Sequence, residues 1–337
     1  MVKIKKKYKV AIVGCGNIGA LFESEPKREK PASHAGAVVA NKRTELVALV
    51  DTNEKNLASA HKLFPRASCY ASLSECLKIE KPDIVSIATP PTVRLATLKE
   101  CVRYGVSMVV CEKPLATSVK EAKQIEVLIA KSGMTFVLNY QRRFSSLFVR
   151  VRAEIKKGKF GRIQQVTCYY SNGLCNNGGH TIDAVGFLLD DEIVSAIGLN
   201  NTKNKMHPTV DANIDALLVT KRGTIITLQS FDQKEYGIHD IRIFGTKGSA
   251  NLTDYGITLV ETPAHESRFA GVKQLDTTRE CVLHSPLSAT KDALAHAIEC
   301  YEKDMTSASS VSEGLSTLRV LDAIAKSARQ NGKKTLV

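Results

Sequence analysis

The sequence predicts an α/β chain of two domains. The first is a doubly wound parallel sheet, and the second is an α/β domain with a large open, mainly antiparallel sheet. Three observations carry this. The first 140 of the 337 residues alternate short apolar runs with amphipathic stretches. After about residue 150 the rhythm changes to strand-like segments joined by tight turns. A glycine-rich turn follows the first apolar run directly, at Gly14 to Gly19.

In the first part, Tyr8 to Val13, Leu46 to Val50, Ile84 to Ala88, Ser107 to Cys111 and Thr135 to Leu138 read as five buried strands. Between them Ser72 to Ile79, Val93 to Tyr104 and Ser118 to Ser132 have helical spacing. Strands alternating with helices of 10–15 residues imply right-handed βαβ units and a parallel sheet. In the second part, Arg162 to Tyr170, Ile193 to Leu199, Ile214 to Thr220, Thr224 to Phe231, Asp240 to Phe244 and Ser249 to Thr253 are rich in Val, Ile, Thr and Tyr. The turns Lys221-Arg222-Gly223 and Gly245-Thr246-Lys247-Gly248 mark hairpins. Two helices close the chain, about Leu287 to Glu302 and Val311 to Ser327. The expected domains are residues 1–140 and 141–337, with the last helices able to pack back on the first domain. A tight boundary at Asn139 to Arg150 suggests a cleft.

Composition narrows the class. Apolar residues make up 43% and charged residues 24%, enough for a sizeable core. No apolar run approaches the ~20 residues of a membrane span, and the basic, then apolar start shows no small-residue cleavage site. The nine cysteines contain no C-x-x-C pair and are odd in number, so reduced thiols in a cytoplasm are expected. The net charge of +13 is spread along the chain apart from Lys3, Lys5, Lys6 and Lys7. With 6% aromatic residues and no tryptophan, nucleic acid is not an expected partner, nor is a membrane. A partly anionic small molecule fits the charge better.

Gly14-Cys15-Gly16-Asn17-Ile18-Gly19 is a G-x-G-x-x-G placed after a strand and before an expected helix. Its glycines permit a tight turn and close backbone approach to a pyrophosphate, whose charge the free N–H groups of the turn stabilise. Asp51 ends the second strand. Its carboxylate suits the hydroxyls of an adenosine ribose and repels a 2′-phosphate, so NAD is expected over NADP, with Lys55 and Lys62 able to soften the preference. Asp51 lies 32 residues after Gly19 against the usual ~20, and Glu23 to Ser33 looks like an inserted loop.

Ala88-Thr89-Pro90-Pro91 follows the third strand and places Thr89 and Pro90 beside the cofactor path, with a rigid ligand-free turn as the alternative. Cys111-Glu112-Lys113-Pro114 follows the fourth. Lys113 there can donate to a substrate oxygen and stabilise its charge during hydride transfer, with Glu112 beside the cofactor. His180, in Asn176-Asn177-Gly178-Gly179-His180-Thr181-Ile182-Asp183, is expected in the first turn of a helix, where the helix dipole disfavours its charged form and suits a base. A capping or core histidine is the alternative. Tyr140 and Arg142 leave the fifth strand. Either Arg142 or Arg143 suits a substrate carboxylate or phosphate, or an interdomain salt bridge. No cluster has metal-ligand spacing.

Together these segments resemble the Gfo/Idh/MocA oxidoreductases, the glucose–fructose oxidoreductase and inositol dehydrogenase group, over nearly the whole chain. The resemblance rests on Gly14, Gly16 and Gly19, Ala88 to Pro91, Glu112-Lys113-Pro114, Asn139 to Phe144 and the Gly-His-x-x-Asp of Gly179 to Asp183. It implies a Rossmann domain followed by an open-sheet domain, and a homodimer or homotetramer formed through that sheet. It implies NAD(P)-linked hydride transfer at a secondary hydroxyl or ketone carbon of a sugar, cyclitol or nucleotide sugar. Lys113 matches the family's catalytic lysine and His180 its proton-transfer histidine. Asn176 stands where the family often has aspartate, and an amide cannot take a proton. Asn176 and Asp183 are then expected to position substrate or support the histidine. The Asn-Gly-x-His arrangement resembles members of surface-sugar biosynthesis and tilts the expectation toward an anionic or nucleotide-linked sugar. Two alternatives stand beside this: an internal-redox enzyme with tightly bound NAD, and a non-catalytic dinucleotide-binding regulator.

Overall fold

The structure, a computed structural model, describes residues 7–201, 211–286 and 289–337. Lys3, Lys5 and Lys6, and the expected helix start at Leu287, lie outside the described residues. The chain divides into two compact units. One comprises residues 1–141 and 288–315, the other residues 142–287 and 316–337.

The first unit is built on six parallel strands: β1 (Tyr8–Val13), β2 (Thr44–Val50), β3 (Ser68–Tyr70), β4 (Ile84–Ile87), β5 (Met108–Cys111) and β6 (Thr135–Leu138). Their order is β3-β2-β1-β4-β5-β6. Val10, Ala11, Ile12, Ile84, Val85, Ile87, Met108 and Val109 are all buried, because both faces of the sheet are covered by helices. The helices are α1 (His34–Ala40), α2 (Glu54–Leu63), α3 (Leu73–Glu80), α4 (Arg94–Arg103) and α5 (Val119–Ser132). Side chains start several of them: Ser33 accepts from the Gly36 N–H, Asn53 from those of Lys55 and Asn56, and Ser118 from that of Glu121. Gly133, with φ +67°, ends α5 in the left-handed conformation. The strand order reverses between β1 and β4, so the loops after these two strands open the crevice at the carboxyl edge of the sheet.

Five strands were expected here and six are present. The missed strand, β3, has three residues on the sheet edge, two of them exposed, so it carries no apolar run.

The second unit holds α6 (Ser146–Lys156), β7 (Ile163–Ser171), α7 (Gly179–Leu189), β8 (Ile193–Asn200), β9 (Ile214–Thr220), β10 (Ile225–Phe231), β11 (His239–Gly245), β12 (Gly248–Thr253), β13 (Thr258–Glu266), β14 (Lys273–Leu275) and β15 (Cys281–His284). The chain then forms α8 (Ala289–Lys303), which packs on β5 and β6 of the first unit, α9 (Val311–Arg329), and β16 (Thr335–Leu336) back in the second. The sheet runs β14-β13-β12-β11-β7-β10-β9-β8-β16, with β15 paired to β13. Both expected hairpins are present, β9 to β10 and β11 to β12. The pair β7 and β10 is parallel, so the sheet is mixed, though mainly antiparallel. One face packs on Leu147, Phe148, Leu188, Leu189, Val320, Leu321 and Ile324 of the helices. The last strands escaped the sequence reading because β13 carries Glu261 and Pro263, and β14 is wholly exposed. No helix among the described residues is long and apolar enough to cross a membrane.

Candidate functional site

In the first unit, the candidate nucleotide site starts where β1 ends. Gly14 has φ +91°, and a Cβ there would lie 2.8 Å from the Ala88 carbonyl carbon. A Cβ on Gly19 would lie 1.9 Å from the Gly14 oxygen. These two glycines let the turn and the β4 loop touch. Gly16 differs: a Cβ there would meet nothing within 4 Å. Protein packing leaves Gly16 free, and the open space above it suits the close approach of a pyrophosphate.

The helix expected straight after Gly19 is interrupted. One turn forms, with Ala20 N–H donating to Gly16 O and Phe22 N–H to Asn17 O. The chain then loops out, with Leu21–Ser24 as a short 3-10 turn. It returns with His34 N–H donating to Ile18 O and Ala35 N–H to Gly19 O. His34 thereby takes the helical place that residue 22 would hold. The interval from Gly19 to Asp51 shortens accordingly from 32 residues to the usual ~20. Glu23 holds the loop shut by accepting from the Ala32 N–H and the Ser33 hydroxyl.

Asp51 ends β2 as expected, and its carboxylate already works within the protein. It accepts from Cys15 N–H at 2.8 Å and from Asn53 N–H at 2.8 Å, so it also buttresses the glycine turn. Burial, with Asp51 next in effect, pushes the Cys15 thiol up to about 12, so it stays protonated.

Thr89 and Pro90 lie in the loop after β4. Arg94, fully buried, donates to the Thr89 carbonyl at 2.7 Å and to the Pro114 carbonyl, tying this loop to the one after β5. Glu112 was expected beside the cofactor. Its carboxylate is held in the interior by His34 Nε2 at 2.9 Å and Asn139 Nδ2 at 2.6 Å. Burial alone would raise its pKa. The His34 and Asn139 hydrogen bonds and the nearby Lys113 charge outweigh that and hold it below the ordinary value. Lys113, half-buried and next in the chain, follows β5 at the carboxyl edge of the sheet. Tyr140 is buried in the segment after β6. The sequence reading missed His34, Arg94 and Asn139. Arg94 opens a helix that also carries Lys99, Glu100 and Arg103, so its sequence gives no signal that it is buried.

The second unit carries the candidate histidine. His180 lies in the first turn of α7, as expected. Before it, Gly173–Gly178 form a π-helical turn, and Gly178 already has helical angles. The backbone is therefore helical well ahead of His180, and the expected free helix end beside it is absent. Asp211 frames this turn by accepting from the N–H groups of Cys175 and Asn176, each at 2.8 Å. Asn176 and His180 are half-buried.

Asp183 is buried and bound by Arg143, with Nε to Oδ1 at 2.9 Å and Nη2 to Oδ1 at 2.9 Å. Both members of this pair belong to the second unit. Arg142 is buried near Asp183 and Tyr255. His239, buried behind α7, has its Nε2 2.9 Å from Thr181 Oγ1. Burial, and next the Arg142 charge, keep it neutral, with its pKa well below the ordinary value. No group of three or more histidine, cysteine or acidic side chains able to hold a metal occurs among the described residues.

Two family profiles match the chain. One, an oxidoreductase family with an NAD-binding Rossmann fold, covers residues 8–140. The other, the C-terminal alpha/beta domain of an oxidoreductase family, covers residues 171–336. The chain is 27% identical over 278 residues to an inositol 2-dehydrogenase of Gluconacetobacter diazotrophicus, covering 77% of this chain and 78% of that one. It is 24% identical over 258 residues to inositol 2-dehydrogenase 2 of Saccharopolyspora erythraea, covering 72% of each. The fold is shared with the WlbA dehydrogenase of Bordetella pertussis, solved with NADH and UDP-GlcNAcA. There the TM-score is 0.77 at 22% identity, over 98% of this chain and 99% of that one. The aldose-aldose oxidoreductase of Caulobacter crescentus, solved with glycerol, gives 0.79 at 18% identity, over 98% and 100%.

Proposed function

The chain belongs to the Gfo/Idh/MocA family of NAD-binding oxidoreductases, and from that membership we propose that it oxidises or reduces a secondary hydroxyl or ketone carbon of a sugar, cyclitol or nucleotide sugar. NAD, when bound, supplies the hydride acceptor or donor. Gly14, Gly16, Asn17, Ile18 and Gly19 hold its pyrophosphate through backbone N–H groups, Asp51 its adenosine ribose, and Thr89 and Pro90 flank it. Lys113 donates a hydrogen bond to the reacting oxygen and stabilises the negative charge that grows there. His180 takes the hydroxyl proton in the oxidising direction. Asn176 orients a substrate hydroxyl. Asp183 supports α7 through Arg143.

The observation that carries this reading is Lys113. It stands at the carboxyl end of β5, beside a buried carboxylate, in the same unit as a glycine turn that keeps open space above Gly16. The names of the relatives support a cyclitol or sugar substrate. Association of two or four copies through the uncovered sheet face belongs to the same reading, and light scattering measures it.

The test is NADH formation followed by absorbance, with free polyols, sugars, sugar acids and nucleotide sugars, and with NADP in parallel. Turnover with one class, faster with NAD, is the expected result. Silence across the panel from a protein that retains NAD through dialysis would replace this reading with internal redox chemistry.

A further inference from the structure

Arg142 is a buried cation that forms no ion pair within 4 Å among the described residues. It is 5% exposed, and its Nε is buried without a hydrogen-bond partner among the described residues. The carboxylate nearest in effect, Asp183, is already taken by Arg143. Burial draws the Arg142 pKa down to about 10 while Asp183 and Tyr255 act the other way, so the group is still charged near neutrality. A buried guanidinium nitrogen left without a partner is unfavourable unless something else completes it. Its surroundings say what charge is missing. Among Arg142, Arg143, Asp183 and His239 alone, two groups are positive, one is negative and one is neutral. One positive charge remains.

We propose that Arg142 receives a carboxylate of the substrate, so that the substrate is a polyhydroxy acid rather than a neutral polyol. This rests on the oxidoreductase reading above and narrows its substrate class. A carboxylate matches the guanidinium fork in shape and can accept two parallel hydrogen bonds. As a monoanion it also neutralises the one excess charge, whereas a phosphate monoester would leave a negative charge over. The location agrees. Arg142 acts electrostatically on Asp183 of α7 and on His239, which is bonded to Thr181 of α7, and His180 belongs to that same first turn. A carboxylate held there fixes the substrate beside the proposed proton acceptor.

The experiment compares matched pairs on the full-length protein with NAD: gluconate against glucitol, and glucuronate against glucose, with glucose 6-phosphate as the dianion. We expect kcat/KM for the acids to exceed that for their neutral partners by about 100-fold or more, since the neutral partners leave the buried cation unpaired. Arg142→Gln should erase that ratio through a higher KM while leaving NADH affinity within about twofold, and Arg142→Lys should restore part of it. Equal or better turnover of the neutral partners would keep the oxidoreductase reading and discard this one. Preference for the phosphate would discard the carboxylate. If Arg142→Gln fails to fold, the wild-type ratios decide alone. If nothing turns over, calorimetric titration of gluconate and glucuronate into NADH-loaded protein decides, and absence of binding overturns the proposal.

Discussion

His34 and Glu112 are 78 residues apart in sequence, yet His34 Nε2 lies 2.9 Å from the Glu112 carboxylate in the buried interior of the first unit. Ser86 Oγ lies 2.5 Å from the other ring nitrogen, and Asn139 donates to the same carboxylate oxygen. The start of α1 and the loop after β5 that carries Lys113 are thus joined by one polar network. His34→Ala should cost about 2–4 kcal/mol, because it leaves a buried carboxylate short of a partner. The pKa of Glu112 is lower folded than unfolded. Its stabilisation is therefore complete above the unfolded value of 4.5 and is lost as pH falls through the folded one. Urea midpoints measured from pH 3 to 7 should show this acid limb in the wild type and a flatter one in Glu112→Gln.

Gly16 and Gly19 should respond to alanine in opposite ways. At Gly19 a Cβ would collide with the Gly14 oxygen at 1.9 Å, so Gly19→Ala should unfold the turn and lower the melting temperature. At Gly16 the protein offers no obstacle, so Gly16→Ala should melt close to the wild type but bind NADH more weakly, by about tenfold or more. Equal melting temperatures with equal NADH affinity in fluorescence titration would contradict the role given to Gly16.

Arg143 should matter for stability. Its partner Asp183 is 2% exposed, so Arg143→Ala removes the guanidinium bound to a buried carboxylate and should cost about 3–5 kcal/mol in chemical denaturation. Removing both charges in Arg143→Met with Asp183→Leu should recover much of that loss, which a double-mutant cycle reads directly.

Lys113→Ala and His180→Ala should each lower kcat by about 10²–10⁴-fold while keeping NADH affinity, since each is assigned to the reacting oxygen. Near-normal turnover in both variants would remove them from the chemistry. Asn176→Asp supplies a carboxylate where the family often has one, and a pH–rate profile shifted in that variant alone would place that position in the proton path.

Much of the architecture could be read directly along the chain. Buried parallel strands are continuous apolar runs, and hairpins announce themselves with glycine at the turn, so β1, β2, β4 to β6 and the strands from β7 to β12 were legible. The short edge strand β3, the polar β13 and the wholly exposed β14 were not, because burial supplies no signal there. Gly14, Gly16, Gly19, Lys113 and His180 could be proposed as site residues because each stands in a motif with a fixed offset from a strand or helix end.

Local order along the chain was sufficient for the fold class, the nucleotide turn and the candidate lysine and histidine, since each depends on spacing within a few residues. The pairings of buried charges were decided only in three dimensions. His34 reaches Glu112 across a looped-out segment, Arg94 ties two loops together, Arg143 takes Asp183, and Arg142 Nε is left without a hydrogen-bond partner among the described residues. The physical reason is that a buried polar group is stable only with a partner, and which partner is close enough depends on the packing of distant elements.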